Sequence, residues 1–346
     1  MIDYIQLDSE SVVPLYRQIV NSILHNISMG NVKIGDKIPS INKLSEEFYL
    51  SRDTVERAYT VLKERRVLVS VQGKGTYISE INTLSKLNVL FLVNKLSTYK
   101  MKIYNSFVKN IGESYQVDLH SYHCDESLFL ELLEKHKSNY DYFVILPHFR
   151  TNGLSHSNST YKVSKAINSL PRKNLVILDN QIQNIKGEFR EVTQDFENDI
   201  IEALNNGKER IRKYDKLILV FPNSNFYPYP SEIKLGFKKY CEQNELNYEI
   251  IEEVNSETKI DANNVFITLE EDDLVKIVNR AKSQQMKLGK DIGVISYNDT
   301  PLKQLLGITV LTTDFELMGA MGANMITEKR RAKHKTPFEL IVRESL

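Results

Sequence analysis

The first segment with a regular hydrophobic pattern follows Pro14. Leu15, Ile19 and Ile23 recur at three- and four-residue spacing, which is the period of an amphipathic helix. Proline suits the start of a helix and glycine its end. The pattern therefore predicts a helix from Pro14 to near Gly30.

Two shorter amphipathic segments come next, each preceded by a serine that can cap a helix. Ser40 is expected to cap a helix in which Leu44 and Phe48 point inward. Ser51 is expected to cap a third helix, whose buried stripe consists of Val55, Ala58, Tyr59 and Leu62. Two helices separated by so short a turn predict a helix-turn-helix.

After the third helix, the sequence VLVSVQGKGTYIS alternates apolar and polar residues on either side of a Gly-Lys-Gly turn. This pattern is typical of a tight two-stranded ribbon with a cation at its tip. A helix, a helix-turn-helix and a ribbon in this order predict a winged DNA-binding domain. Its third helix would enter the major groove and its wing would lie near a phosphate or the minor groove.

Apolar runs alternate with amphipathic helical patterns in the rest of the chain. The predicted strands are VLFLVN, YDYFVILPH, NLVILDN, KLILVFPN, NNVFITLE and IGVISYND, and the clearest predicted helices are SLFLELLEKH and EDDLVKIVNRAKSQQ. Such alternation predicts parallel sheets with ligand sites beyond the carboxyl ends of the strands. We predict a DNA-binding domain over 1–79, a polar linker over 80–88 and an effector-binding and dimerisation domain over 88–346.

The composition fits a folded protein of several domains. The chain has 346 residues, of which 41% are hydrophobic and 26% charged, and this length predicts two or three domains. The start carries acidic residues where a signal peptide needs basic ones, and no apolar run reaches membrane-spanning length. Cys124 and Cys241 lie far apart, which favours neither a disulfide framework nor a metal pair. We therefore expect a cytoplasmic protein without a membrane partner.

The charge of the whole chain does not favour binding to nucleic acid, because the formal net charge is zero. A basic excess is found only in one region. Between Ser51 and Tyr77, basic residues outnumber acidic ones, namely Arg52, Arg57, Lys63, Arg65, Arg66 and Lys74 against Asp53, Glu56 and Glu64. Such a local excess suits phosphate contacts. An ordinary solvated surface is the alternative interpretation of the same cations.

Residues 10–79 resemble the DNA-binding domain of GntR-type regulators, through PLYRQI, GDKIPSINKLSEEFYLSRDTVERAYTVLKERRVL and GKGTY. The resemblance implies DNA contacts from Ser40, Ser51, Arg52 and Thr54 and from the wing. With neighbouring positions on the same helices, the predicted interface comprises Ser40, Asn42, Lys43, Ser51, Arg52, Asp53, Thr54, Arg57, Gly73, Lys74 and Gly75. The family often has arginine in place of Asn42 and glycine in place of Arg66, so the contact from Asn42 lacks the usual charge.

Residues 88–346 resemble the sugar-sensing domains of LacI-type repressors and periplasmic sugar-binding proteins, most closely in SYND and TTDFELMG. The resemblance implies two α/β lobes joined by three crossings, with a ligand between them. The predicted effector site comprises Asn94, Lys95, His148, Arg150, Asp179, Tyr227, Tyr229, Ser231, Glu270, Asn298, Asp299 and Thr313. Polar groups with aromatic rings suit a polyhydroxylated ligand. Ser231 replaces a common arginine, so Arg150 or Lys95 is expected to provide a substitute contact.

Several of these residues also have structural interpretations. Asp179 and Asn298 can cap loops, and the acids from Glu270 to Asp273 can mark a helix start. The segment 226–230 can be a rigid loop that covers the core or a platform on which a ligand stacks. His148 can be a hydrogen-bond donor in the pocket or a residue with a purely structural role.

The combined pattern predicts a sugar-responsive transcription regulator that binds an inverted repeat as a homodimer, using helices near Asn105 and Met318. It is similar to Bacteroides-type regulators of sugar-utilisation operons, and L-fucose is the predicted effector. A pyridoxal-phosphate enzyme fused to a DNA-binding domain is disfavoured by length. We find no catalytic, cofactor or metal motif in the sequence. A transport-type sugar-binding protein is the other alternative.

Overall fold

The computed structural model describes residues 5–8, 11, 13–64, 67–79, 86–223 and 225–346. Its contacts divide the chain into two compact units. Unit 1 comprises Met1–Leu90, Gly112–Asp118 and Glu134–Phe143, and unit 2 comprises Phe91–Ile111, Leu119–Leu133 and Val144–Leu346. The predicted linker falls largely on residues 80–85, which lie outside the described residues, as does Arg66.

The N-terminal region has the predicted winged helix-turn-helix. It consists of α1 (Leu15–Ser28), α2 (Ile41–Glu47) and α3 (Arg52–Glu64), followed by the antiparallel strands β1 (Leu68–Val71) and β2 (Gly75–Ile78). The Ser40 hydroxyl accepts a hydrogen bond from the backbone N–H of Lys43, and that of Ser51 accepts one from Thr54. Both predicted caps are therefore present.

One apolar core holds these elements together. The predicted stripe of α3 is fully buried, with Val55, Ala58 and Leu62 at 0% exposure and Tyr59 at 2%. It packs with residues of α1 and with the ends of the ribbon. Because one face of α3 is committed to this core, its opposite face is left for solvent.

Segments outside the N-terminal region also belong to unit 1. The imidazole Nδ1 of His25, on α1, lies 2.6 Å from the carboxylate of Asp141. The second carboxylate oxygen of Asp141 accepts a hydrogen bond from the backbone N–H of Asn88 at 2.8 Å. Asp141 therefore links His25 to the backbone of Asn88, which lies in the strand Leu87–Val93.

The remaining chain forms two six-stranded sheets, which are the cores of two lobes. The first sheet has the order β15-β9-β8-β5-β3-β4. Its strands are β3 (Leu87–Val93), β4 (Tyr115–Ser121), β5 (Tyr142–Ile145), β8 (Leu175–Asp179), β9 (Arg190–Thr193) and β15 (Lys333–Lys335), and a short hairpin pairs β6 (Phe149–Arg150) with β7 (His156–Ser157). The pairs β8–β9 and β9–β15 are parallel.

The second sheet has the order β11-β10-β12-β13-β14-β16, and its strands are parallel except for the antiparallel edge strand β16. They are β10 (Lys216–Val220), β11 (Asn247–Ile251), β12 (Asn264–Thr268), β13 (Gly293–Tyr297), β14 (Thr309–Thr313) and β16 (Phe338–Ile341). All six predicted strands are present, three in each sheet.

Helices connect these strands, as the alternation of patterns predicts. They are α4 (Thr98–Ile111), α5 (Glu126–His136), α6 (Tyr161–Asn168), α7 (Phe196–Asn206), α8 (Lys208–Ile211), α9 (Ser231–Gln243), α10 (Glu271–Ser283), α11 (Pro301–Leu305) and α12 (Phe315–Thr327). The acids of α10 occupy its first turn, as the helix-start interpretation of that run predicts. No helix among the described residues is long and apolar enough to cross a membrane.

The chain passes between the two sheets three times, after β9, after β14 and after β15, and the crossing segments are bonded to one another. The backbone N–H of Thr336 donates to the carbonyl of Thr193 at 2.9 Å, and that of Asp314 donates to Pro337 at 3.2 Å. The Thr313 hydroxyl donates to the side-chain carbonyl of Gln194. The three crossings thus form one connected hinge.

Helices α4 and α12 pack closely in this fold. A β-carbon at Gly319 would lie 2.2 Å from the carbonyl oxygen of Ile103, a distance that real β-carbons do not show. Met318 is fully buried, whereas Asn105 is exposed. Any second copy that docks on this pair must therefore use its exposed residues and not Met318.

Candidate functional site

The first candidate site is the solvent-facing side of the helix-turn-helix. Asn42 and Lys43 on α2 and Arg52, Asp53 and Arg57 on α3 are all exposed. Ser40 and Ser51 cap the two helices, and the Ser51 and Thr54 hydroxyls lie 2.7 Å apart. The exposed side chains at the start of α3 are placed as a recognition helix needs them.

Two neighbouring side chains modify this surface. The Arg57 guanidinium lies 4.1 Å from the ring centre of Tyr16, so it already has a cation–π partner within the protein. Tyr49, in the turn between α2 and α3, is 97% exposed and has a positive φ of 52°. Sequence reasoning assigned Tyr49 no role, although an aromatic side chain at an exposed turn was the available signal.

The wing turn has the backbone that its glycines predict. Gly73 has φ 75° and Gly75 has φ 115°, and both values are unfavourable for other residues. Lys74 is exposed between them, and the Tyr77 hydroxyl donates to its carbonyl at 3.0 Å. The turn therefore presents one ammonium group at a fixed tip.

The second candidate site is a pocket between the strand ends of the two lobes. We call it the cleft pocket, and it is lined by Asn94, Lys95, Tyr99, His148, Asp179, Gln194, Phe196, Pro228, Tyr229, Pro230, Ile233, Tyr297, Asn298 and Phe315. The space open to the centre of a water molecule is about 40 Å³, which is several times the roughly 10–15 Å³ that one water needs. The pocket is therefore a cleft with room for a small ligand.

Asp179 is the centre of a buried network in the cleft pocket. It is 1% exposed, and its carboxylate accepts from the Lys100 ammonium and the Gln194 amide. Nε2 of His148 donates to the same carboxylate at 2.6 Å. Asp179 also has a positive φ of 75°, a conformation that surrounding contacts must hold in place. Three protein donors thus satisfy a carboxylate that was predicted to bind ligand hydroxyls.

A histidine pair extends the network. Nδ1 of His148 lies 2.9 Å from Nε2 of His156. Since Nε2 of His148 donates to Asp179, its Nδ1 accepts, and His156 donates to it. Burial lowers the pKa of His148 well below its ordinary value and lowers the pKa of His156 to about 4, so both rings are neutral near pH 7.

This histidine pair predicts a loss of stability in mild acid. The folded pKa of His156 lies below the value of about 6.5 for an unfolded chain, so its contribution is complete above pH 6.5 and declines as the pH falls towards 4. Between pH 7.5 and 5, the free energy of unfolding should fall by about 2 kcal/mol from His156 alone. Urea unfolding of wild type and His156→Gln at both pH values measures this, and the variant should lose less.

The comparison at the two pH values is made within each protein, so the stability that His156→Gln loses at both pH values cancels. A fall in the free energy of unfolding between pH 7.5 and 5 that is identical in the variant and the wild type would contradict the assignment to His156.

Lys95 lies beside this network without a hydrogen-bonding or ionic partner among the described residues. Its ammonium is 5.8, 5.4 and 5.2 Å from the ring centres of Tyr99, Tyr227 and Tyr229. Burial lowers its pKa, whereas the nearby Glu270 carboxylate acts in the opposite direction. The site therefore holds a cation among three aromatic faces.

Two buried polar atoms in residues that line the cleft pocket have no hydrogen-bond partner in the described part of the chain. They are the side-chain carbonyl of Asn94, which is 3% exposed, and the hydroxyl of Tyr297, which is 7% exposed. Such atoms cost about 1–3 kcal/mol each when unsatisfied. They are the groups that a polar ligand would satisfy.

The other predicted effector residues do not line the cleft pocket, and most of them bond to other groups of the protein. Arg150 donates to the His123 carbonyl and lies 4.0 Å from the Phe226 ring centre. The Asp299 carboxylate is held by Arg343 at 2.8 Å. The remaining four are Tyr227, which bonds His123; Ser231, which is exposed; Glu270, which accepts from Asn225; and Thr313, which bonds Gln194.

Several lining residues were missed from the sequence. Gln194 is a polar residue that sequence reasoning leaves on the surface, and Tyr99, Phe196 and Phe315 lie in the first turns of helices. Lys100, which does not line the pocket but donates to Asp179, was also missed. The available signal was position, since helices that follow cleft strands begin at the pocket. No cluster of His, Cys, Asp or Glu able to hold a metal ion occurs among the described residues.

Together, these observations define a winged helix-turn-helix joined to a two-lobed α/β structure with a polar pocket between parallel sheets. Residues 15–78 match the model of bacterial regulatory proteins, gntR family. The mannosyl-D-glycerate transport/metabolism system repressor MngR of Escherichia coli (strain K12) is 46% identical over 67 residues, which are 19% of this chain and 28% of that protein. The chain spans between 14% and 59% of the lengths of the curated relatives that it matches.

Solved structures share the two-lobed fold. A LacI family transcriptional regulator from Lactobacillus casei with bound glucose has a TM-score of 0.58 at 14% identity, covering 75% of this chain and 99% of that chain. The trehalose repressor from Escherichia coli has the same TM-score and identity, covering 74% of this chain and 100% of that chain. These likenesses bear out the predicted fold of two lobes with parallel sheets.

Proposed function

We propose that the protein is a ligand-controlled transcription regulator of a sugar-utilisation operon, acting in the cytoplasm. The observation that carries the proposal is the combination of an exposed, cationic recognition helix and wing with an enclosed polar pocket in one chain. The matched N-terminal relative is a repressor, and the two-lobed structures above are regulators. We retain residues 1–79 as the DNA-binding domain and 88–346 as the effector domain, joined by a linker over 80–88.

The proposed effector is a monosaccharide in the cleft pocket. Tyr99, Phe196, Tyr229 and Phe315 supply aromatic faces, and the unpaired groups of Asn94 and Tyr297 supply polar partners. Rings with fixed polar groups are the surfaces that sugars require. The Lactobacillus casei regulator binds glucose in a structure of this fold. L-fucose remains the specific prediction from the sequence.

Ligand binding is proposed to act through the hinge. The cleft pocket is lined by residues from both lobes, so a bound ligand would contact both and favour one lobe separation. In a homodimer, that change alters the spacing of two recognition helices on an inverted repeat. The exposed residues of α4 and α12 are the proposed contact between the two copies.

The experiment is fluorescence anisotropy of the full chain with fragments of its own promoter, at several salt concentrations and with added monosaccharides. We expect affinity for one inverted repeat that falls steeply with salt and changes at least tenfold with one sugar. Salt-sensitive binding to no fragment would overturn the regulator, and DNA binding that no sugar alters would overturn sugar control.

A further inference from the structure

The charges of the cleft pocket discriminate between classes of sugar. Its lining includes two ionised side chains, Lys95 and Asp179. Asp179 is neutralised by Lys100 and also satisfied by His148 and Gln194. Lys95 has no ion pair within 4.0 Å among the described residues, so it is a lining cation without a direct counterion.

Glu270 does not neutralise Lys95 directly. Its carboxylate accepts a hydrogen bond from the Asn225 amide at 3.0 Å, and it forms no ion pair within 4.0 Å among the described residues. Arg150, the next cation, is paired with Asp125 at 3.3 Å. Glu270 therefore acts on Lys95 only from a distance and leaves its three N–H donors open.

Helix ends add to the positive potential. The helices α4, α7, α9 and α12 all begin at the cleft pocket, where they contribute Tyr99, Phe196, Ile233 and Phe315. Asp195 and Asp314 cap α7 and α12, and Glu232 lies in the first turn of α9, whereas α4 has no acid in its first turn. Helix N-termini favour anions, and among these four helices α4 has no acid of its own to meet this preference.

We propose that the effector is an anionic sugar, whose carboxylate or phosphate binds the Lys95 ammonium while a sugar hydroxyl donates to Asn94. This inference rests on the proposed function, because it names the class of ligand for the same pocket, and it replaces the neutral L-fucose that the sequence predicts with an anionic sugar. Three tyrosine rings around Lys95 exclude water and fix the ammonium, which strengthens the ion pair with a ligand. An anion also removes the cost of leaving this cation unpaired.

The test is titration calorimetry of the full chain with pairs of compounds, each an acid or a phosphate and its neutral parent sugar. The pairs are D-glucuronate and D-glucose, D-galacturonate and D-galactose, L-fuconate and L-fucose, and D-glucose 6-phosphate and D-glucose. We expect one anion to bind at least thirtyfold more tightly than its neutral partner. If a sugar acid binds most tightly, the anionic group of the effector is a carboxylate. If D-glucose 6-phosphate binds most tightly, that group is a phosphate.

Lys95→Met separates the ion pair from general damage to the pocket. The variant should lose at least thirtyfold in affinity for the anion, with an unchanged or raised melting temperature, because an unpaired cation is removed. Lys238→Met, on the exposed side of α9, is the matched control and should bind the anion like the wild type.

Two results would overturn the inference in different ways. A neutral sugar that binds as tightly as its acid, with equal affinity in Lys95→Met, overturns the anionic class and leaves the sugar-responsive regulator standing. A panel in which no compound binds, with promoter binding intact, overturns both the anionic class and sugar control.

Discussion

Lys100→Met is expected to destabilise the two-lobed region by about 3–5 kcal/mol, because it removes the cation that neutralises a buried carboxylate. Lys100 and Asp179 are each 1% exposed. With Lys100 gone, the neutral donors His148 and Gln194 remain on Asp179, and these cannot balance its charge. Urea unfolding monitored by circular dichroism at pH 7.5 measures the change in the midpoint.

The double variant Lys100→Met with Asp179→Asn makes this prediction specific. An asparagine removes the uncompensated charge and keeps an oxygen for one of the remaining donors, so it should recover at least half of the lost stability. Lys109→Met, on the exposed last turn of α4, should change stability by less than about 0.5 kcal/mol. A single variant as stable as this control would show that the pair does not stabilise the fold.

Arg52→Ala is expected to weaken promoter binding by about 10- to 100-fold, corresponding to about 1–3 kcal/mol per lost contact. Arg52 begins α3 and is exposed. A guanidinium at this place reaches either a guanine edge or a phosphate, and these two contacts differ in their dependence on salt. Anisotropy at four salt concentrations distinguishes them, since loss of a phosphate contact lowers the slope and loss of a base contact leaves it nearly unchanged.

Lys63→Ala supplies the control for Arg52→Ala. Lys63 is an exposed cation in the last turn of the same helix. Its variant therefore tests the effect of losing one positive charge away from the start of α3. It should retain most of the affinity. Equal losses in the two variants would favour the solvated-surface interpretation of the basic excess, and a loss of sugar binding in Arg52→Ala would indicate misfolding.

The N-terminal region was predictable because its signals are local. Ser40 and Ser51 cap the helices that follow them, and the apolar stripe of α3 is buried at each predicted position. The Gly-Lys-Gly turn also required its glycines, as the positive φ at Gly73 shows. Each inference used residues within one turn or one helix, where the chain itself fixes the distances.

The two sheets were predictable only where a strand is continuously apolar. The segment β8 is buried throughout and was found, whereas β9 has the sequence REVT and is equally buried. Its Arg190 is satisfied by the carbonyls of Lys173 and Met325, which a sequence pattern does not reveal. Partners distant in sequence made a polar segment into an interior strand.

The sequence predicts several of the residues that line the cleft pocket, but it does not predict which of the charged groups there are paired with one another. Asn94, His148, Asp179 and Asn298 line it, as expected for residues at strand ends. Lys100 was missed because a lysine in a helix is ordinarily a surface residue, and its pairing with Asp179 depends on a contact between α4 and the end of β8. Which charges are free for a ligand follows only from such contacts, so the roles within this site remain predictions.

The positions of Lys95 and Lys100 have a consequence for how the proposed effector pocket can change during evolution or in the laboratory. Lys100 forms an ion pair with Asp179, whereas Lys95 lies among three tyrosine rings without a direct ion pair among the described residues. We therefore expect substitutions at Lys95 to change ligand specificity with little damage to the fold, and substitutions at Lys100 to be disfavoured because they destabilise it. A library aimed at new effectors should vary Lys95 and its tyrosine neighbours and leave Lys100 unchanged.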